Sequence, residues 1–158
     1  MPRMGDKPKF MMVFDSPSWK EEKAGRMMEG DNADVVKAAL KAVGMKLSDG
    51  YYTSLVKAMK PKEAKGLSNE MINGCSQWLK REIEILKPPV IIAMGSKAVS
   101  YFAPGIKGSP SDIAGTAVFD SELDATIIYG LNLGSLFHDP SKISLVEKVF
   151  AVLGEIYE

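Results

Sequence analysis

Lys87-Pro88-Pro89-Val90-Ile91-Ile92-Ala93-Met94-Gly95-Ser96-Lys97 decides the architecture of this chain. Val90 to Met94 is apolar without a break, which marks a strand covered on both faces rather than on one. The two prolines in front of it end the preceding helical pattern, because proline neither donates a backbone hydrogen bond nor tolerates a helical neighbour before it. Gly95-Ser96-Lys97 behind it opens another helix, which the pattern carries to about Phe102. A buried strand with helices on both sides in sequence is the βαβ unit of a parallel sheet.

Working outward, the same alternation recurs. Upstream, apolar residues at Ile72, Cys75, Leu79, Ile83 and Leu86 repeat at helical spacing, and Ser68 is a suitable N-cap for a helix from there to Leu86. Tyr51 to Val56 is rich in aromatic and β-branched residues and reads as a strand. Ala33 to Val43 carries Val35, Val36, Ala39, Leu40 and Val43 on one helical face, and Gly44 stops it. Phe10 to Phe14 (FMMVF) reads as a short buried strand ended by the turn cluster Asp15-Ser16-Pro17-Ser18. Downstream, Gly105 to Asp124 is loop-rich with a hairpin around Ala117 to Phe119, and Ala125 to Tyr129 is the last core strand. The final helix is expected to start at Ser144, with Glu147 three residues on as the partner of a capping box. Its buried stripe is Leu145, Val146, Val149, Leu153 and Ile156.

The expectation is a three-layer α/β/α sandwich around a central, mostly parallel four-stranded sheet. Residues 1–9 form a flexible N-terminal segment and 10–158 the domain. Ligands of such sheets bind beyond the carboxyl ends of the strands. Pattern alone therefore nominates Asp15 and Ser16, Ser54, Gly95 and Ser96, and Asn132.

Composition narrows the function. The 158 residues suffice for one domain with a real core. Twenty basic and twenty acidic residues cancel, so any contact with nucleic acid must be a local patch rather than a uniformly basic coat. The single cysteine, Cys75, can form neither an internal disulfide nor a thiolate cluster, and it points to a reducing, cytoplasmic setting. No stretch reaches the roughly 18 apolar residues of a membrane span, and the start lacks the apolar run of a signal peptide. Ten methionines read as core filler.

Three segments resemble the iron–sulfur, family 4 uracil-DNA glycosylases. Ile83 to Val99 (IEILKPPVIIAMGSKAV) is similar to that family's helix end, Lys-Pro, third strand and Gly-x-x-Ala turn. Tyr52-Thr53-Ser54-Leu55-Val56-Lys57 sits where the family has a Thr-Asn-Val-Val-Lys strand end, and Gly25-Arg26-Met27-Met28-Glu29-Gly30 where it has Gly-Arg-Pro-Phe-Val-Gly. The order and spacing of the segments also fit, over about residues 10 to 157. The departures fall on working positions. The family's Gly-Glu-Ala-Pro-Gly reads Phe14-Asp15-Ser16-Pro17-Ser18 here, with the carboxylate one methylene shorter. Met28 replaces the phenylalanine that stacks on uracil, and Ser54 replaces the asparagine that reads its edge. Asn132 replaces the histidine that would stabilise the leaving base, in Leu131-Asn132-Leu133-Gly134-Ser135, a segment nearer in wording to the Asn-Pro-Ser-Gly motif of mismatch-type glycosylases. Only Cys75 matches a cluster ligand, so the resemblance implies a domain without the cluster, and no cofactor is expected.

Base excision needs a nucleotide out of the stack, a read base edge, an oriented water and stabilised charge separation. Asp15 either orients water and stabilises the sugar cation or caps the next segment as a turn residue. Asn132 either hydrogen-bonds base or water or is a loop residue. Ser16, Met28, Ser54 and Ser135 are the substrate-contact candidates, although Met28 also suits a core. Ser96 and Lys97, at a helix start, and Lys57 and Lys60, in a lysine-rich loop with Lys62 and Lys65, are candidates for DNA phosphate. Leu133 to Phe137 either wedges into a duplex or packs internally. His138, the only histidine, reads as a surface residue.

The resemblance implies a monomeric domain with DNA as partner, attached to or acting with replication or repair machinery, as related domains fused to phage-type or bacterial replicative DNA polymerases are. Two readings follow: a DNA-binding domain degenerate for uracil excision, or an active glycosylase on uracil or another altered base. A plainer third is a nucleotide- or phosphate-binding domain resting on Gly95 to Lys97.

Overall fold

A computed structural model describes residues 8–15, 31–55, 69–103, 110–131 and 139–157 of the protein. Its elements run β1 (Phe10–Phe14), α1 (Asp31–Ala42), β2 (Gly50–Ser54), α2 (Asn69–Leu86), β3 (Val90–Met94), α3 (Ser96–Phe102), α4 (Pro110–Ile113), β4 (Ala117–Asp120), β5 (Ala125–Gly130) and α5 (Ile143–Ile156). The sheet order is β2-β1-β3-β5-β4. β1, β2, β3 and β5 are mutually parallel, and β4 pairs antiparallel with β5.

The expected four parallel strands are present, and the expected hairpin supplies a fifth. β4 aligns Val118 with Ile127 and Phe119 with Thr126 along the sheet edge. It escaped inclusion in the core sheet because it has no buried face: Val118 and Phe119 are both exposed. Its turn is closed by Asp120, whose Oδ1 accepts the N–H groups of Glu122 at 2.9 Å and Leu123 at 3.1 Å.

Alternation along the buried strands makes the three layers. Phe10, Met12 and Phe14, with Ile92, Met94 and Ile128, face α1 and α5, where Val36, Leu40, Val146, Val149, Phe150 and Leu153 meet them. Met11 and Val13, with Ile91, Ala93 and Ile127, face α2 and α3 through Leu79, Ile83, Ala98 and Val99. Because successive side chains point to opposite faces, a strand covered twice must be apolar at every position, as FMMVF and VIIAM are.

Helix ends follow local chemistry. Gly44 adopts φ +76°, and the N–H groups of Met45 and Gly44 bond the carbonyls of Leu40 at 2.9 Å and Lys41 at 3.1 Å, the paired closure of a left-handed cap. The capping box expected at Ser144 is not formed. A 3₁₀ turn, Pro140–Lys142, runs directly into α5, so Ser144 lies inside the helix and its hydroxyl donates to the Ser141 carbonyl at 3.2 Å. Asp139 does the capping upstream, accepting the Ser141 N–H at 3.2 Å. Within the stripe expected of this helix, Ile156 is exposed and Phe150 is buried in its place.

At the amino ends of the strands, the Lys9 N–H donates to the Asp49 carbonyl at 2.8 Å, and the Tyr157 hydroxyl donates to the Lys9 carbonyl. No helix among the described residues is long and apolar enough to cross a membrane.

Candidate functional site

The chain passes from β1 to β2 on one side and then crosses back to β3 on the other side of β1. That reversal opens a crevice beyond the carboxyl ends of β1 and β3, where open α/β sheets bind ligands. Two residues stand at its edges: Asp15 directly after β1 and Gly95 directly after β3.

They are in contact. The Asp15 Oδ1 accepts the backbone N–H of Ala98, the third residue of α3, at 2.7 Å. Gly95, the N-cap of α3, has no side chain with which to cap it, so Asp15 performs that role from across the sheet. Gly95 is held at φ +134°, and a Cβ there would lie 2.6–2.7 Å from the Asp15 carboxylate atoms. Glycine is therefore required twice, for its backbone angle and for the carboxylate's space. Burial pushes the Asp15 carboxyl above its ordinary value of 3.8, partly offset by the N–H groups of Ala98 and Lys97 and by the Lys97 charge. The local-turn cap and the catalytic role weighed for Asp15 from sequence thus meet a third situation: a cap on a helix 83 positions away.

Ser96 and Lys97 are exposed at the start of α3. A phosphate approaching the backbone there competes with Asp15 for the Ala98 N–H, so the Lys97 side chain is the more available contact. Ser54 is buried at the end of β2, in register with Phe14, and the next residue, Leu55, donates its N–H to the Phe14 carbonyl at 2.7 Å. Ser54 and Asp15 therefore flank the same final rung of the β1–β2 ladder. Ser16, Met28, Lys57, Lys60, Asn132 and Ser135 lie outside the described residues, as do Lys62, Lys65, His138 and the segment from Leu133 to Phe137. Asn132 directly follows Leu131, which is buried just past β5.

A further polar cluster braces β2. Tyr51 and Thr53 share one face of the strand, and both reach Glu82 of α2: the Tyr51 hydroxyl donates to Oε2 at 2.7 Å and the Thr53 hydroxyl to Oε1 at 3.0 Å. Burial, then the hydrogen bond and charge of Glu82, push the Tyr51 phenol above its ordinary value. In the sequence Glu82 is one more polar residue on the side of a helix, and nothing local marks it.

A model of the "Uracil DNA glycosylase superfamily" matches residues 2–150. A DNA polymerase III subunit alpha from Yersinia pestis is 32% identical over 157 residues, which cover 99% of this chain and 13% of that protein. A type-4 uracil-DNA glycosylase from Thermotoga maritima is 29% identical over 110 residues, 70% of this chain and 57% of that enzyme. Another, from Pyrobaculum aerophilum, is 33% identical over 85 residues, 54% of this chain and 43% of that enzyme. The chain thus spans a small part of the polymerase subunit and about half of each glycosylase. The family 4 cluster named above needs about four thiolates, and this chain carries one cysteine, so its residues do not fit that group.

Proposed function

The chain belongs to the uracil-DNA glycosylase superfamily, and from that membership we propose that it is a DNA-binding domain which has lost ordinary uracil excision and works with, or within, a replicative DNA polymerase. DNA lies across the carboxyl ends of the strands. β3 separates β1 from β5, so at the strand spacing of a sheet their tips stand about 10 Å apart, and an extruded base would lie beyond the tip of β3 between them. Lys97, Lys57 and Lys60 supply point charges to the phosphates, with Ser96 beside them, and these contacts position the strand without reading it.

The observation that carries the reading is the engagement of Asp15. The carboxylate at the family's water-orienting position is engaged within the fold, its Oδ1 accepting the Ala98 N–H at 2.7 Å. The pocket is altered at three further positions: Met28 offers no aromatic face, Ser54 offers a hydroxyl in place of a two-pronged amide, and Asn132 offers no imidazole to the departing base. Loss of one oriented donor lowers a rate by ~10²–10³, and several together bring ordinary uracil excision near background. The 32% identity to a polymerase III alpha subunit, over 99% of this chain and 13% of that protein, supports the replicative setting.

A second reading is an active glycosylase for another altered base, with Asp15 orienting water through its second oxygen, Asn132 holding the base anion, and Ser16 and Ser135 at its edge. It is favoured by the type-4 relatives. One experiment separates the two. Single- and double-stranded oligonucleotides carrying uracil, hypoxanthine or a G·T mismatch are incubated with the protein and treated with alkali. Intact strands, together with binding that weakens as salt rises, support the first reading. Breaks abolished by Asp15→Asn support the second, and a protein that neither binds nor cuts refutes both.

A further inference from the structure

We infer that Glu82, a residue of α2 remote in sequence from every strand tip, is a positioning residue that fixes the carboxyl end of the edge strand β2 and with it the Ser54 wall of the cleft. The inference rests on the DNA-binding reading above for its functional consequence, but not for its structural one.

Among the described strands β2 pairs with β1 and stands at the margin of the sheet. Strands open first at their ends, and this end bears Ser54 and the final rung from the Leu55 N–H to Phe14. The Glu82 carboxylate grips residues i and i+2 of the strand at once, Tyr51 at 2.7 Å and Thr53 at 3.0 Å. Two charge-assisted bonds from one rigid group hold the pitch of the strand as well as its position. Thr53 is the residue before Ser54, so the brace ends one peptide short of the cleft. α2 is a suitable anchor, because Leu79 and Ile83 on either side of Glu82 are buried against the sheet.

The test uses the whole chain and three variants: Glu82→Met, Glu82→Gln, and the double substitution Tyr51→Phe with Thr53→Val. Gln keeps groups that can bond both hydroxyls; Met keeps the volume and neither bond. Amide exchange is read at Leu55 and, as a reference for global stability, at Ile92. Affinity is read for a fluorescein-labelled single-stranded oligonucleotide containing one uracil. Glu82→Met and the double variant should speed exchange at Leu55 by about tenfold relative to Ile92 and weaken oligonucleotide binding by roughly threefold or more, while Glu82→Gln stays near wild type in both.

An unchanged Leu55-to-Ile92 ratio in Glu82→Met overturns the inference. So does faster Leu55 exchange with full affinity, because the brace would then not serve the cleft. Tighter binding in both Glu82→Gln and Glu82→Met would assign Glu82 a simple repulsion of phosphate and overturn it likewise. If the wild type binds no DNA, the functional reading fails by itself, and the exchange ratio alone decides whether Glu82 holds the strand.

Discussion

Replacing Gly95 by alanine should destabilise the protein through two separable effects. The first is conformational. Gly95 lies at φ +134° and ψ 160°, a region that residues with a Cβ occupy only under strain of ~1–3 kcal/mol. The second is a collision. The new methyl would sit 2.6–2.7 Å from the Asp15 carboxylate, forcing that side chain off the Ala98 N–H, and loss of a helix N-cap costs ~0.5–2 kcal/mol. Together they amount to about 2–5 kcal/mol, a fall of very roughly 4–20 °C in Tm for a domain of this size. Urea unfolding of wild type, Gly95→Ala, Asp15→Ala and the double variant measures the parts. In the Asp15→Ala background the carboxylate is gone, so Gly95→Ala should cost only the conformational part. The cycle should therefore return a coupling of about 0.5–2 kcal/mol between positions 15 and 95. Strict additivity, or a Gly95→Ala cost below about 1 kcal/mol, would refute the cross-sheet cap and the reading of Asp15 built on it.

Three further outcomes are expected. The fold raises the Asp15 carboxyl above 3.8, so its contribution to stability is full below that pH and is lost as pH rises through the folded value. Asp15→Asn, which cannot ionise, should gain on wild type across that interval, and a difference in urea midpoint that stays flat from about pH 3 to about pH 7 would contradict it. Glu82→Gln removes the charge that helps hold the Tyr51 phenol up while keeping a bonding partner, so the phenol should ionise at lower pH than in wild type; tyrosinate absorbance during alkaline titration reports this, and an unshifted curve argues against the influence of the Glu82 charge. In Gly50→Ala a Cβ would stand 2.3 Å from the Phe10 ring, an overpacking cost of about 1–3 kcal/mol; a Tm within about a degree of wild type would show that the ring moves freely aside.

The buried strands were legible because double coverage leaves one signature, an unbroken apolar run. FMMVF and VIIAM have the boundaries expected of them, and ATIIYG extends its expected range by a single residue. β4 was less legible because an exposed edge strand has no buried face to alternate against. The start of α5 was misplaced for a local reason: Asp139 and Pro140 begin a 3₁₀ turn that takes the chain into the helix before Ser144 can cap it. At the site, the strand-end rule located Asp15 and Gly95 but not their contact, since the bond from Ala98 joins segments brought together only by sheet order. Glu82 was invisible for the same reason: its partners, Tyr51 and Thr53, lie about 30 positions upstream, and only the packing of α2 beneath β2 gives it work.

The hydrogen bond from Tyr157 to the Lys9 carbonyl places the outgoing and incoming backbone within one side chain's length of each other. Lys9 and Tyr157 both lie behind the sheet, at the starts of the parallel strands, while Asp15 and Ser54 lie at the front. A probe attached at Lys9 would therefore report from the rear of the sheet and leave the strand tips at Asp15 and Ser54 unobstructed.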